Sequence, residues 1–256
     1  MELTFIGTGS GKTSLNRFHT SILLTENDHN LLIDTGDGIS KALLSSNVNV
    51  RSIDSILISH THADHFSGIT SLLTQMKIER RTEPLNIFIH ATFSDFLKNI
   101  INVSFLFQET IGFELNILDY EFNKAFRLEN DIEILPKQNS HIQNKDNITN
   151  YNWLKFASSS FLIRSNKLNV FYTADIGSKN NLFLFDDFSI DYMITEATHI
   201  AFSEIVDSVK IIDPKECYLV HINDEELLKN EINRLSNEKK SKFQLAYDSM
   251  RVILPY

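Results

Sequence analysis

At 256 residues, with 42% hydrophobic and 22% charged side chains, the chain has ordinary globular composition and room for a substantial core. Its net charge of −9 argues against broad, sequence-independent binding to nucleic acid, which depends on Lys and Arg neutralising phosphates. One cysteine, Cys217, excludes an internal disulfide, and the opening residues lack a basic and then long apolar leader; with no apolar run of membrane-spanning length, a cytoplasmic location off the membrane is expected.

In chain order, hydrophobic periodicity predicts a strand near 3–6, then a hairpin of 21–25 and 31–34 about a turn at 26–30. A helix is expected near 37–46, a buried strand over the β-branched run 53–59, and a helix over 66–79. A strand near 85–89, a helix near 92–103 and a strand near 131–135 follow. The Asn-rich stretch 137–152 reads as a long loop, of the kind that is commonly functional. Beyond a second hairpin, strands are expected at 216–220 and 252–254, with a helix over 224–235 whose apolar stripe is Leu227, Leu228, Ile232 and Leu235.

The second hairpin belongs to an internal duplication. Residues 53–62 align without gaps on 190–199, matching Ile53-Asp54 to Ile190-Asp191 and Thr61-His62 to Thr198-His199. Upstream, the hairpin that ends in Asp34-Thr35-Gly36 resembles the one that ends in Asp175-Ile176-Gly177. Two such halves imply an α/β protein with two mixed sheets and helices outside, a four-layer αββα sandwich in one domain over residues 1–256.

The chemistry concentrates in His60-Thr61-His62-Ala63-Asp64-His65, four metal-type ligands in a run that packing does not require. In extended chain His60 and His62 project to one side and can share an ion, while Asp64 and His65, further round the turn, can reach a second. A metal-dependent hydrolase is the expectation. A different motif, Gly7-Thr8-Gly9-Ser10-Gly11-Lys12-Thr13, resembles a phosphate-binding P-loop after a strand. Its spacing fails, because the pattern needs Gly where Ile6 stands, and the residues that follow lead to a strand rather than a helix.

The ordered set of Gly7-Thr8-Gly9, Asp34-Thr35-Gly36-Asp37-Gly38, the 60–65 run, His141, Asp175 and His221 resembles the motifs of the metallo-β-lactamase superfamily, from Phe5 to His221. The opening Phe5–Ser10 segment and Thr195-Glu196-Ala197-Thr198 are most similar to the ribonuclease Z group and its cyclic-nucleotide phosphodiesterase relatives. The resemblance implies the metallo-β-lactamase fold and a dinuclear site. His60, His62 and His141 would bind one ion, Asp64, His65 and His221 the other, and Asp175 both, with Asp34 hydrogen-bonding near the ligands. Zinc is the expected metal, and manganese or iron also suits the donors. Hydroxide generated between the ions would attack phosphorus, oriented by Asp64. Ribonuclease Z enzymes protonate the leaving oxygen with a His from a later His-Ser-Thr segment, paired with the Glu of the Glu-Ala-Thr motif. This chain keeps Glu196 but lacks that segment, and His199 is the substitute.

Only 33 residues separate His141 from Asp175, where transfer-RNA processing enzymes carry a long RNA-gripping arm. The expected substrate is therefore a small phosphodiester such as a cyclic nucleotide. The resemblance extends to phage-type enzymes that degrade cyclic-nucleotide defence signals and assemble as homodimers, so a homodimer is expected. Tyr151, Trp153 or Phe156 would stack on a base. A ribonuclease Z-type endonuclease and a lactonase or thioesterase of the same fold remain alternatives, and a non-enzymatic binding protein with a relict site ranks last.

Overall fold

Strand periodicity builds the architecture, because alternate residues of each strand face opposite layers. The computed structural model describes residues 1–129, 131–143, 154–165 and 168–255. In β2 (Ser21–Glu26) and β3 (His29–Ile33), Ile22, Leu24, Leu31 and Ile33 face the central core, whereas Leu23 and Leu32 face outward. The second half repeats this: Phe161 and Ile163 of β9 (Ser159–Arg164) and Val170 and Tyr172 of β10 (Asn169–Tyr172) point inward, while Leu162 and Phe171 point outward.

The first sheet runs β14 (Met250–Ile253), β1 (Glu2–Gly7), β2, β3, β4 (Ser55–Leu57), β5 (Leu85–His90) and β6 (Leu115–Tyr120). The second runs β7 (Phe126–Arg127), β8 (Glu133–Gln138), β9, β10, β11 (Tyr192–Glu196), β12 (Glu216–Val220) and β13 (Phe243–Leu245). Read in these directions, each sheet begins with antiparallel pairings and ends with parallel ones, switching at β3 to β4 in the first and at β10 to β11 in the second. The two halves share one topology, as the sequence repeat implies.

Helices cover both outer faces. On the first sheet lie α1 (Ile39–Ser45), α2 (Ala63–Phe66), α3 (Ile69–Ile78), α4 (Ser94–Val103) and α5 (Gln108–Ile111), through residues such as Leu43, Leu72, Met76 and Leu97. On the second lie α6 (Phe202–Ile212) and α7 (Glu225–Asn233), through Ile205, Val209, Leu228 and Ile232. The short α8 (Asn237–Lys240) follows and buries none of its residues. The result is the four-layer αββα sandwich. Among the described residues no helix is long and apolar enough to cross a membrane.

Some expectations need correction. The helix over 66–79 is two pieces, broken at Gly68, where the backbone N–H turns away to Thr35 O and a side chain would meet Gly36 O at 2.2 Å. Leu227 is exposed, so the stripe of α7 consists of Leu228 and Ile232, joined beyond its end by Leu235. Residues 137 and 138 extend β8 rather than opening a loop, and residues 144–152 of that stretch lie outside the described residues. The 7–13 motif indeed leads into β2 without a helix.

Candidate metal centre

The site forms at the carboxyl ends of the strands, where open α/β sheets place their ligands. Asp34 follows β3, His60 and His62 follow β4, and Asp64 and His65 ride on α2. His141 lies three residues beyond β8, Asp175 three beyond β10, and His221 one beyond β12. Asp34, Ala174 and His221 all adopt left-handed backbone, at φ 62°, 48° and 53°. Such conformations cost free energy in residues other than glycine, and they concentrate where a side chain must be aimed. Two glycines allow the loops to close. A side chain at Gly36 would lie 1.9 Å from Asp64 O, and one at Gly177 would lie 2.1 Å from Ser140 O. These glycines hold equivalent places in the two halves.

Two clusters converge. His62 Nδ1 lies 3.1 Å from both His60 Nε2 and His141 Nε2. In the second cluster His221 Nε2 lies 3.2 Å from Asp64 Oδ2 and 3.1 Å from Asp175 Oδ2, and His65 Nε2 is 3.3 Å from Asp175 Oδ1. Asp175 faces the first cluster as well, its Oδ2 being 3.6 Å from His141 Nε2. The donor atoms of each cluster lie within 4.8 Å of one another.

These residues fit a pair of metal ions. Ligands about 2.0–2.1 Å from a tetrahedral zinc stand about 3.3 Å apart, and the separations above bracket that value. Buried polar atoms in native proteins are nearly always partnered, yet neither His65 Nε2 nor Asp175 Oδ1 makes a hydrogen bond, although they lie 3.3 Å apart. A cation between them would satisfy both.

The surrounding hydrogen bonds set the tautomers. Asp34 Oδ2 accepts from His65 Nδ1 and from Ser59 Oγ, each at 2.8 Å, and Ser59 Oγ in turn accepts from His60 Nδ1 at 3.0 Å. Both imidazoles therefore present Nε2 to the cluster, the orienting role that carboxylates play around metal-binding histidines. Asn139 Oδ1 accepts from His141 N at 3.0 Å, and Asn181 Oδ1 accepts from Ser140 N, Ser140 Oγ and Gly177 N. Ser59, Tyr172, Asn139 and Asn181 were not singled out from sequence. Only Asn139 carries a local signal, the turn-forming Asn two residues before His141.

Electrostatics favours metal-ready side chains. Burial, reinforced by neighbouring His65, holds His60 well below the usual imidazole range, and burial lowers His141 to about 4. Both are neutral donors at pH 7. Burial opposes ionisation of Asp64, but the His221 hydrogen bond and the charges of His65 and His221 outweigh it and bring the carboxyl to about 2. Burial also disfavours a charged His65, yet Asp175 and Asp34 more than offset it and raise its pKa well above the usual value.

His199 sits at the mouth, stacked on His221 with ring centroids 5.1 Å apart and edge-on to His141 at 4.8 Å. Its Nδ1 is 3.5 Å from Glu196 Oε2, which also accepts from the backbone N–H groups of Thr198 and His199. The Glu196 contact raises the His199 pKa against partial burial.

Residues 1–240 match the family described as anti-Pycsar protein Apyc1. The chain belongs to the Apyc1 family. Ribonuclease Z of Aeropyrum pernix is 32% identical over 120 residues, a match covering 46% of this chain and 38% of that protein. The matched part thus spans about two fifths of that relative's length. Human tRNase Z short form (ELAC1) has the same fold, with TM-score 0.74 and 20% identity over 100% of both chains. The metallo-β-lactamase fold protein YhfI of Bacillus subtilis has TM-score 0.74 and 19% identity over 98% of each chain. The chain thus has the metallo-β-lactamase fold.

All nine sequence-designated site residues of this Apyc1-family chain converge on one centre. The aromatic residues differ. Phe156 is half-buried beside Ser140 and Ile142, lining a cavity of about 520 Å³, and Tyr151 and Trp153 lie outside the described residues.

Proposed function

We propose that this chain is a dinuclear metal-dependent phosphodiesterase acting on small phosphodiesters, cyclic nucleotides above all. The observation that carries this reading is the position of Asp175 between two histidine-rich clusters, its two carboxylate oxygens facing donor atoms of both. His60, His62 and His141 would hold one ion and Asp64, His65 and His221 the other, with Asp175 placed to serve either cluster. Zinc suits the five imidazoles best, and manganese and iron suit the two carboxylates. Bound metals supply Lewis acidity and bring water into ionisation range near neutral pH.

The chain's own groups do the rest. Asp64, kept ionised, orients the attacking water from the exposed side of its cluster. His199 delivers a proton to the departing oxygen, and Glu196 holds the ring in place and keeps it protonated. Acidic overall charge and the short span between His141 and Asp175 favour a small substrate over an extended RNA. Membership in the Apyc1 family supports the same choice, whereas the named ribonuclease Z relative supports a nucleic-acid substrate as the second reading. The protein works in the cytoplasm as a homodimer.

The deciding experiment offers 2′,3′-cyclic nucleotides, 3′,5′-cyclic nucleotides, oligonucleotides, a transfer-RNA precursor and an acyl-lactone to the zinc-loaded wild type and Asp64→Ala. Hydrolysis of the cyclic substrates, lost in the variant, is expected. Cleavage of the RNA precursor alone would move the chain to the second reading, and hydrolysis of acyl-lactones alone would reject both.

A further inference from the structure

A second cavity, of about 380 Å³, opens between the 10–17 loop and the start of α7. That volume is in the range of small-molecule sites. It shares a wall with the metal centre. A side chain at Gly11 would stand 2.9 Å from Asp64 Oδ2, the oxygen that faces His221, and Ser10 N donates to Ile222 O next to that histidine.

The lining is polar and, among the described residues, free of aromatic rings: Lys12, Thr13, Ser14, Asn16 and Asn223 supply ammonium, hydroxyl and amide groups. Its acids are already engaged. Asp224 Oδ1 accepts from Leu227 N at 2.9 Å, Glu225 pairs with Arg17 at 2.8 Å and Lys229 at 2.6 Å, and Glu226 lies 3.6 Å from Lys229. Lys12 has no such carboxylate partner among the described residues.

We propose that this cavity is the subsite for the nucleobase of the substrate, with the phosphodiester at the adjoining metal centre. The inference rests on the phosphodiesterase reading above. Three carboxylates along one wall disfavour a second phosphate, since like charges repel. A neutral heterocycle avoids that penalty, and its ring carbonyl, imine and amino groups match the donors and acceptors of the loop. Recognition would run through the edge of the base, because among the described residues no ring lines the cavity to stack on its face. The Gly-Ser-Gly-Lys-Thr segment thereby acquires a task unrelated to a nucleotide-binding P-loop: its backbone packs on Asp64 while Lys12 and Thr13 turn to the base.

Calorimetric binding of a nucleoside 5′-monophosphate and of ribose 5-phosphate to the zinc-loaded protein tests this, with wild type, Lys12→Ala and Asn16→Ala. The wild type should bind the nucleotide at least about tenfold more tightly than the base-free sugar phosphate, ~1.4 kcal/mol. Each variant should erase most of that preference and leave ribose 5-phosphate affinity unchanged. Equal affinity of the wild type for both ligands, or variants that weaken both alike, would overturn the assignment. Turnover of bis(p-nitrophenyl) phosphate, measured in parallel, reports on the phosphodiesterase reading. Its absence in the wild type would count against that reading, whereas the binding preference alone judges the cavity.

Discussion

Asp34 and His65 meet at 2.8 Å in a fully buried pair, and the same carboxylate oxygen reaches His60 through Ser59. One acid therefore sets a ligand of each cluster. Asp34 also accepts from Ser59 N at 2.8 Å and from Tyr172 OH at 3.2 Å, so every neighbour is a donor. Asp34→Asn places an amide N–H against donors, and a buried group left without its partner costs about 1–3 kcal/mol. Lowered thermal stability and a roughly 10–100-fold loss of affinity at both metal positions are expected. Ser59→Ala should weaken mainly the position that contains His60. Metal titration with a chromogenic chelator separates the two.

The raised pKa of His65 has a pH consequence. In the metal-free protein the nearby carboxylates of Asp175 and Asp34 favour the doubly protonated imidazole. That pairing stabilises the metal-free fold fully below the unfolded value of about 6.5, and the contribution is lost as pH rises through the raised folded value. A metal must displace the proton on Nε2. Binding near neutral pH should therefore release about one proton, and affinity should rise with pH through and above neutrality. His60 and His141, already lowered by burial, add nothing to that slope at neutral pH. Calorimetry in two buffers of different ionisation enthalpy counts the protons, and a count of zero would show that His65 is neutral before metal arrives.

Gly177 offers a test of how the second half closes. A methyl group there would stand 2.1 Å from Ser140 O and 3.0 Å from His141 N. Overpacking of this kind costs about 1–3 kcal/mol, and Gly177→Ala has no flexible neighbour to displace, only backbone. The melting temperature should fall by roughly 2–4 °C for each kcal/mol in a chain of this length. Phosphodiester turnover should drop at least about tenfold, since displacement of the 139–141 segment moves His141. Retention of full activity would show that the segment has slack.

The sandwich was legible because the repeat preserves residues with geometric work to do. Asp34 and Gly36 reappear as Asp175 and Gly177, and the alternation of Leu31, Leu32 and Ile33 reappears as Val170, Phe171 and Tyr172. Less regular elements escaped. Strand β6 is an edge strand with Leu118 and Asp119 both exposed, so its residues do not alternate cleanly. Helix α6 falls outside the expected elements although Ile205 and Val209 form a buried i, i+4 pair. The ligand run was readable from spacing alone, whereas His141, Asp175 and His221 needed the ordered resemblance, because a lone imidazole at a strand end carries no local mark. Ser59 reaches Asp34 across 25 residues and Asn181 reaches Ser140 across 41, so no short sequence window shows those two contacts.

His199 gives the sharpest mechanistic prediction, since its proposed role depends on the leaving group. A sugar alkoxide leaves poorly and needs a proton, whereas p-nitrophenolate leaves without one. General acid catalysis contributes about 10²–10⁴-fold where it is required. His199→Ala should therefore depress kcat on a 3′,5′-cyclic nucleotide by that factor and leave bis(p-nitrophenyl) phosphate within about threefold. Glu196 raises the His199 pKa, so the acid form persists above the usual imidazole value and activity on the cyclic nucleotide falls as pH rises through it. Glu196→Gln removes the charge that holds the proton, and the alkaline limb of the pH profile should move to lower pH. Equal loss on both substrates in His199→Ala would instead make this residue a support for the stacked His221 ring, with the proton coming from another group.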